Sequence, residues 1–420
     1  MSSAALTGAL LFASAPNAAA DQVRNDQWAL KSLDAESIWS TTKGKGQTVA
    51  VVDDGVNANH RDLKGNVLKG KDFIDGGSTA PKQGDDHGTG IASVIAGHGH
   101  GPGNGDGVMG LAPEAKILPI RDQGYRDDGY ASSIRYAVDH GASVINISQK
   151  QDKPEDEQAE SEAIGYALKH DVVIVGGTGN DGGAVGYPAA YAGVVAASGL
   201  NKDGTFWDGS NRGKQTLLSA PAAKIVSSGG PSNLNGYGIG DGTSDACAYV
   251  SAAAALVKAK YPDLTAGQVV NRLTKTAKMP ASEKGAKLPD ERYGYGAIRP
   301  LAALQKDIPK GSKYGPLSVP QALKDDAKAA EKEQESQALQ EQADQKFVII
   351  WSVIGVLGLL VVGVIVLLVV RSRRNRNRNN GPGPGGPGAS GGYAYPPGQG
   401  PGYGVPPQQQ SMPPQQSPYN

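Results

Sequence analysis

From Phe347 to Val370 the chain carries no charged residue. A helix rises about 1.5 Å per residue, so this run is long enough to cross the ~30 Å hydrocarbon core of a bilayer. A helix buried in a globular core would show a polar stripe on its outer side. None is present, and the run reads as a transmembrane helix over 347–370. Arg371, Arg373, Arg374, Arg376 and Arg378 follow at once. By the positive-inside rule they stay in the cytoplasm, which puts everything before the span outside the cell membrane on a single-pass anchor.

The remaining segments sort by composition. Residues 1–20 have an apolar centre, Leu6 to Phe12, and end in Ala18-Ala19-Ala20, the pattern of a secretory signal cut after Ala20. No Lys or Arg precedes Arg24, which predicts a start codon upstream of Met1. Residues 21–46 form a polar N-terminal extension in which Leu33 to Trp39 has the spacing of a short helix. Residues 310–346 read as a linker and a charged, helical stalk, because Gln321 to Lys346 is rich in Ala, Glu, Gln, Lys and Asp without a wide apolar face. The tail, 371–420, becomes Gly, Pro, Gln and Tyr after Asn379, a composition that cannot bury a core.

Between these lies 47–309. Thr48-Val49-Ala50-Val51-Val52 is the kind of continuous apolar run expected of a parallel strand buried on both faces. Ser143 to Ile147, Val172 to Val175 and Gly193 to Ala197 repeat it. Tyr130 to His140 and Glu160 to His170 have helical spacing. The alternation predicts an α/β domain of three layers, with a mostly parallel central sheet and helices on both sides. Lys and Arg total 41 and so do Asp and Glu, so the balance argues against a nucleic-acid partner. The one cysteine, Cys247, excludes an internal disulfide. Its small-residue surroundings predict a buried inert thiol rather than a nucleophile.

Three signatures carry the chemistry. Val51-Val52-Asp53-Asp54-Gly55 places an acid at the end of a buried strand, where sites in such sheets collect. His87-Gly88-Thr89-Gly90 precedes the helix-like Ile91 to Gly97. Gly242-Thr243-Ser244 precedes a long small-residue helix, Ala246 to Tyr261. Ser244 alone could be a helix cap. Acid, imidazole and hydroxyl together form the set that deprotonates an alcohol, holds the imidazolium and returns the proton to a leaving group.

The order Asp, His, Ser and the stretches VAVVDDGV, HGTG and GTSDACAYVSAA resemble subtilisin-like serine proteases. The resemblance covers roughly Thr48 to Leu304. It implies a serine endopeptidase with Asp53, His87 and Ser244 as its triad, acting on a protein or peptide substrate. It further implies that Asn180, in Val175-Gly176-Gly177-Thr178-Gly179-Asn180, donates its amide to the oxyanion, and that Ser148 and Gly177 contact the substrate. Gly90, where the family commonly has a second His, is similar to one branch, the mycosins, membrane-anchored proteases of type VII secretion in actinobacteria. The signal, the Asp and Gln ahead of Trp28 and the single C-terminal span match that branch too, so a type VII secretion membrane complex is an implied partner. No cofactor is implied. Asp72, Asp75 and Asp106 are too scattered to predict a metal site.

Two departures bear on activity. After Ser148 the family tends to have Leu and Gly, whereas this chain has Gln149-Lys150-Gln151, which is expected to alter the substrate side-chain pocket. Asp245 replaces an apolar residue beside the nucleophile. A carboxylate facing a developing oxyanion would raise the barrier, so a weakly active or inactive scaffold with this fold is the alternative. Among the other histidines, His60, His98 and His100 read as loop residues, while His140 and His170 end predicted helices, where a cation complements the dipole.

Overall fold

The polar lead is folded onto the domain it precedes. The computed structural model describes residues 22–230 and 236–376, so the expected signal at 1–20 and the tail beyond 376 lie outside the described residues. Within the lead, α1 (Trp28–Ser32) and α2 (Ala35–Trp39) are separate helices. The single helix expected from Leu33 is shortened because Asp34 takes left-handed backbone, φ 58°. Trp28 Nε1 donates to the Ala223 and Lys224 carbonyls, each at 3.1 Å. Gln27 exchanges two hydrogen bonds with the Met109 backbone, and Trp39 Nε1 donates to the Leu111 carbonyl.

The apolar runs become strands buried along nearly their whole length, as a two-sided parallel sheet requires. In chain order the main elements are β1 (Thr48–Asp53), β2 (Lys71–Asp72), α3 (His87–Ala96), β3 (His98–His100), β4 (Asp106–Met109), β5 (Lys116–Arg121), α4 (Ala131–Asp139), β6 (Val144–Ile147), α5 (Glu157–Lys169), β7 (Val173–Gly177), β8 (Val194–Leu200), β9 (Thr216–Pro221), β10 (Ile225–Ser228), β11 (Tyr237–Gly240), α6 (Thr243–Lys260), α7 (Ala266–Thr276) and α8 (Pro300–Gln305). The central sheet runs β2-β5-β1-β6-β7-β8-β9 and every pairing in it is parallel. Helices α3 and α6 pack together, as do α4 and α5, giving the three-layer α/β domain. β3 with β4 and β10 with β11 form small antiparallel pairs.

Three sheet strands, the two-residue β2 together with β5 and β9, were not foreseen. β5 contains Pro119, which cannot donate to a ladder. It is tolerated because its outer neighbour β2 pairs only with Ile120 and Arg121, beyond the proline. β9 starts in Thr216-Leu217-Leu218, a run too short to stand out. The order places β1 between β5 and β6, so the chain leaves β1 toward one edge and later departs from β6 toward the other. Sites in such sheets form at that switch, outside the carboxyl ends of the strands. Asp53 is the last residue of β1, and Ser148 follows β6 directly.

Chain beyond Pro309 also packs on the domain. Thr265 Oγ1 donates to the Lys313 carbonyl, Asn271 Nδ2 to that of Pro309, and Leu317 is buried. From there α9 (Gln321–Arg376) is one continuous helix. Its apolar window has a mean hydropathy of 3.4 and no buried share, which fits a single membrane span. His140 and His170 follow the last turns of α4 and α5, and each ring nitrogen Nδ1 meets a carbonyl of its own helix.

If the lead is an integral part of the domain, Trp28→Ala should destabilise the full chain by about 3–5 kcal/mol, the usual cost of truncating a large buried aromatic. Denaturant unfolding followed by tryptophan fluorescence would measure this. A change within experimental error would show that the lead is dispensable.

Candidate active site

β1 ends in two adjacent carboxylates that do different work. Asp53 is fully buried and faces the His87 imidazole, with Nδ1 2.8 Å from Oδ1 and 3.0 Å from Oδ2. Its Oδ1 also accepts from the Asp54 N–H at 2.8 Å. Asp54 turns to the start of α3, where it accepts from the backbone N–H groups of Gly88 at 2.8 Å and His87 at 3.2 Å. These are donors that a helix leaves unpaired in its first turn. The formal cap residue, Asp86, makes no side-chain cap bond, so a carboxylate from the sheet takes that place. Burial, followed by the neighbouring Asp53, holds the Asp54 pKa above the ordinary carboxylate range. Gly88 is required by space. An added Cβ would collide with the Gly55 carbonyl and lie 3.0 Å from the Asp53 Cβ.

Ser244 sits in the first turn of α6, behind Gly242. The Asn146 amide donates to Ser148 Oγ at 2.8 Å, and the Ser148 hydroxyl donates to the Ser244 carbonyl at 3.2 Å. Asn146 Oδ1 accepts from the Cys247 thiol at 3.1 Å and the Ser251 hydroxyl at 3.0 Å. This buried relay ties the first turns of α6 to the end of β6. Cys247 belongs to it, and burial pushes its thiol up to about 12, so it is held as a neutral donor. Gly177, at the end of β7, lets α6 approach, since a Cβ there would be 3.1 Å from the Thr243 carbonyl.

Asn180 is oriented by its neighbour. Its Oδ1 accepts from the Thr243 backbone N–H at 2.8 Å and from the Thr243 hydroxyl at 2.9 Å. The backbone N–H can only donate, so the amide must present oxygen to it and turn its NH₂ away. A carbon added to Gly242 would lie 2.7 Å from Ser244 Oγ and 3.6 Å from Asn180 Nδ2. Hydroxyl and amide therefore converge on one spot, which Gly242 leaves open. His87, Ser244 and Asp245 line the adjoining cleft, of about 260 Å³. The arrangement provides an alcohol, an imidazole oriented by a buried acid, and an amide donor, as acyl transfer needs.

With that geometry in view, comparison with known proteins is decisive. The model of the subtilase family matches residues 44–296. The chain belongs to that family. It is a serine-type endopeptidase of the subtilisin kind and resembles the mycosins. Mycosin-1 of Mycobacterium tuberculosis is 33% identical over 349 residues, covering 70% of this chain and 76% of that protein. The crystal structure of MycP1 from Mycobacterium smegmatis superposes with a TM-score of 0.59 at 30% identity, covering 70% of this chain and 88% of that one. A chain of the periplasmic assembly from the ESX-5 inner membrane complex gives a TM-score of 0.59 at 28% identity, covering 68% and 85%.

The structure shows where the two departures from the family pattern point. The Lys150 stem runs across Gly179 and Gly186, with its Cδ 3.0 Å from where a Gly179 Cβ would be. Its Nζ pairs with Asp152 at 2.5 Å and Asp181 at 2.7 Å. Lys150 thus lies beside Asn180. Asp245 faces the cleft on the His87 side. Burial raises it to about 7. Three other sequence readings need amending. His100 is no free loop residue, because its Nδ1 lies 2.6 Å from the buried Asp62. Asp72 and Asp75 hold the buried Arg121 guanidinium. Asp54 and Thr243, which position the site, were overlooked, although both adjoin residues of the expected motifs.

Asp53 first, with Asp54 and Asp245 adding to it, raises His87 to about 9. The imidazole is 44% exposed, so water softens the shift without reversing it. A protonated His87 cannot accept a proton, so base function should appear only as pH rises through that value. Asp245→Asn removes an anion that favours the imidazolium and should move the titration to lower pH. NMR of the His87 ring protons against pH would read both, and an unchanged midpoint in the variant would refute the coupling.

Proposed function

We propose that this protein is an active, membrane-anchored endopeptidase whose subtilase domain lies outside the cell membrane and serves a type VII secretion complex. The observation that carries the reading is the convergence of Ser244 Oγ, the Asp53-bound His87 and the Thr243-oriented Asn180 amide. In the proposed reaction His87 Nε2 takes the proton as Ser244 Oγ attacks the scissile carbonyl. Asp53 holds the imidazole and stabilises its charged form. The developing oxyanion sits between the Asn180 NH₂ and the Ser244 backbone N–H, at the positive end of α6. The C–N bond then breaks as His87 returns the proton to the leaving amine, and water hydrolyses the Ser244 ester by the same route. Ser148 and Gly177, at the ends of β6 and β7, border the acyl half of the substrate. No step requires a metal or cofactor.

The placement outside the membrane rests on the uncharged span in α9 and the Arg371, Arg373 and Arg374 that follow it. The link to secretion rests on likeness to the mycosins and to the chain of the ESX-5 assembly. One observation favours a second reading, a scaffold with little turnover. The Lys150 stem fills space beside Asn180 where a substrate side chain would be received.

Purified full-length chain should react with a fluorophosphonate at Ser244, and Ser244→Ala should abolish labelling. Folded protein that stays unlabelled would sink the acyl-enzyme reading. Asn180→Ala should lower kcat about 100- to 1000-fold with little change in KM, the loss seen for the oxyanion donor of a subtilisin. In cells, secretion lost on deletion but intact with Ser244→Ala would favour the scaffold.

A further inference from the structure

The cleft beside His87 has an acidic floor that the acyl-transfer mechanism does not use. Asp245 contributes the floor, and its residue is only 9% exposed. Among the described residues its carboxylate has no hydrogen-bond donor and no cation within ion-pair distance. Asp86 and Asp241 line the same cleft. Asp241 is partly neutralised by Lys224, whose Nζ lies 3.4 Å away. His87 is the remaining titratable group, and its Nδ1 is already committed to Asp53. The walls are backbone of the β10–β11 pair, with Gly229, Gly230 and Gly238. Gly90 keeps one wall low, since a Cβ there would press on Ser227 Oγ at 3.1 Å.

Mechanism settles which part of a substrate enters. The scissile carbonyl oxygen must reach the Asn180 amide, while the leaving nitrogen must receive its proton from His87. The cleft is lined by His87 and Ser244 but not by Asn180. It therefore receives the residue that follows the scissile bond. A buried carboxylate without a partner is costly to ionise. A cation brought to it by a substrate would recover that cost, and a second carboxylate would be repelled. We propose that Asp245, supported by Asp86 and Asp241, makes this subtilase select peptides with lysine or arginine immediately after the cleaved bond. The inference deepens the endopeptidase reading and rests on it for the direction of the substrate.

Product-side tripeptide amides, X-Ala-Ala-NH₂ with X as Lys, Ala or Glu, are suitable probes, titrated calorimetrically into the full chain in detergent at about pH 8.5, above the value of about 7 to which Asp245 is raised. The lysyl peptide should bind at least about tenfold more tightly than the glutamyl one, the alanyl peptide falling between. Asp245→Asn should reduce the ratio to about twofold, and Asp245→Glu should restore part of it. Equal binding of Lys and Glu by the unaltered chain would overturn the proposal without any variant. So would a full preference that survives in folded Asp245→Asn. Fluorophosphonate labelling of the same samples keeps the two readings apart. Labelled Ser244 without a lysine preference refutes only this inference, whereas a lysine preference with unlabelled Ser244 refutes only the acyl-enzyme reading.

Discussion

The junction of β1 and α3 governs the geometry of the site. Asp53 holds the His87 ring, while Asp54 takes the N–H groups of His87 and Gly88, so one strand end grips both the side chain and the backbone of the same residue. Each contact is charge-assisted and is made to a buried carboxylate, which makes the bonds shorter and stronger than those of a surface pair. Gly88 lets the two elements come this close. Displacing α3 would break the imidazole contact and leave buried carboxylates without donors, so the arrangement resists small shifts.

A comparable device places the nucleophile. α6 is built from alanines and small polar residues and is buried through most of its length, which lets it lie close against β6 to β9. A helix this deep has few polar contacts with which to set its register. The relay through Asn146, Ser148, Cys247 and Ser251 supplies them, and Thr243 extends the same logic to Asn180. Buried polar networks specify one arrangement because every alternative leaves a donor or acceptor unpaired. Here the element that carries Ser244 is the element that orients the amide donor.

The two sides of the site differ in charge. On the Asn180 side Lys150 is held between Asp152 and Asp181. On the His87 side Asp53, Asp54 and Asp245 all favour the imidazolium. An acid surplus near the general base stabilises the charge that base acquires during attack, yet it also keeps the resting base protonated to higher pH. Asp245 therefore bears on His87, with which it lines one cleft and whose charged form it favours.

Much of this was legible from residue order alone. Apolar runs without alternation predicted strands covered on both faces, and the uncharged run 347–370 predicted a helix long and apolar enough to cross a membrane, because burial of apolar surface depends on composition that can be counted along the chain. The acid, imidazole and hydroxyl announced themselves by local context: a strand end and two helix starts. What sequence could not supply was anything that depends on which elements become neighbours. Pro119 hid β5, since its tolerance depends on how short β2 is. Asp54 reads as a second acid in a loop until α3 is brought against it. His100 reads as a solvated loop residue until Asp62 is placed beside it. Asp245 reads as a residue beside the nucleophile until the cleft it lines with His87 is formed. Hydrogen bonds and fields act over a few ångströms between groups tens of residues apart, so their partners exist only once the sheet order has been set.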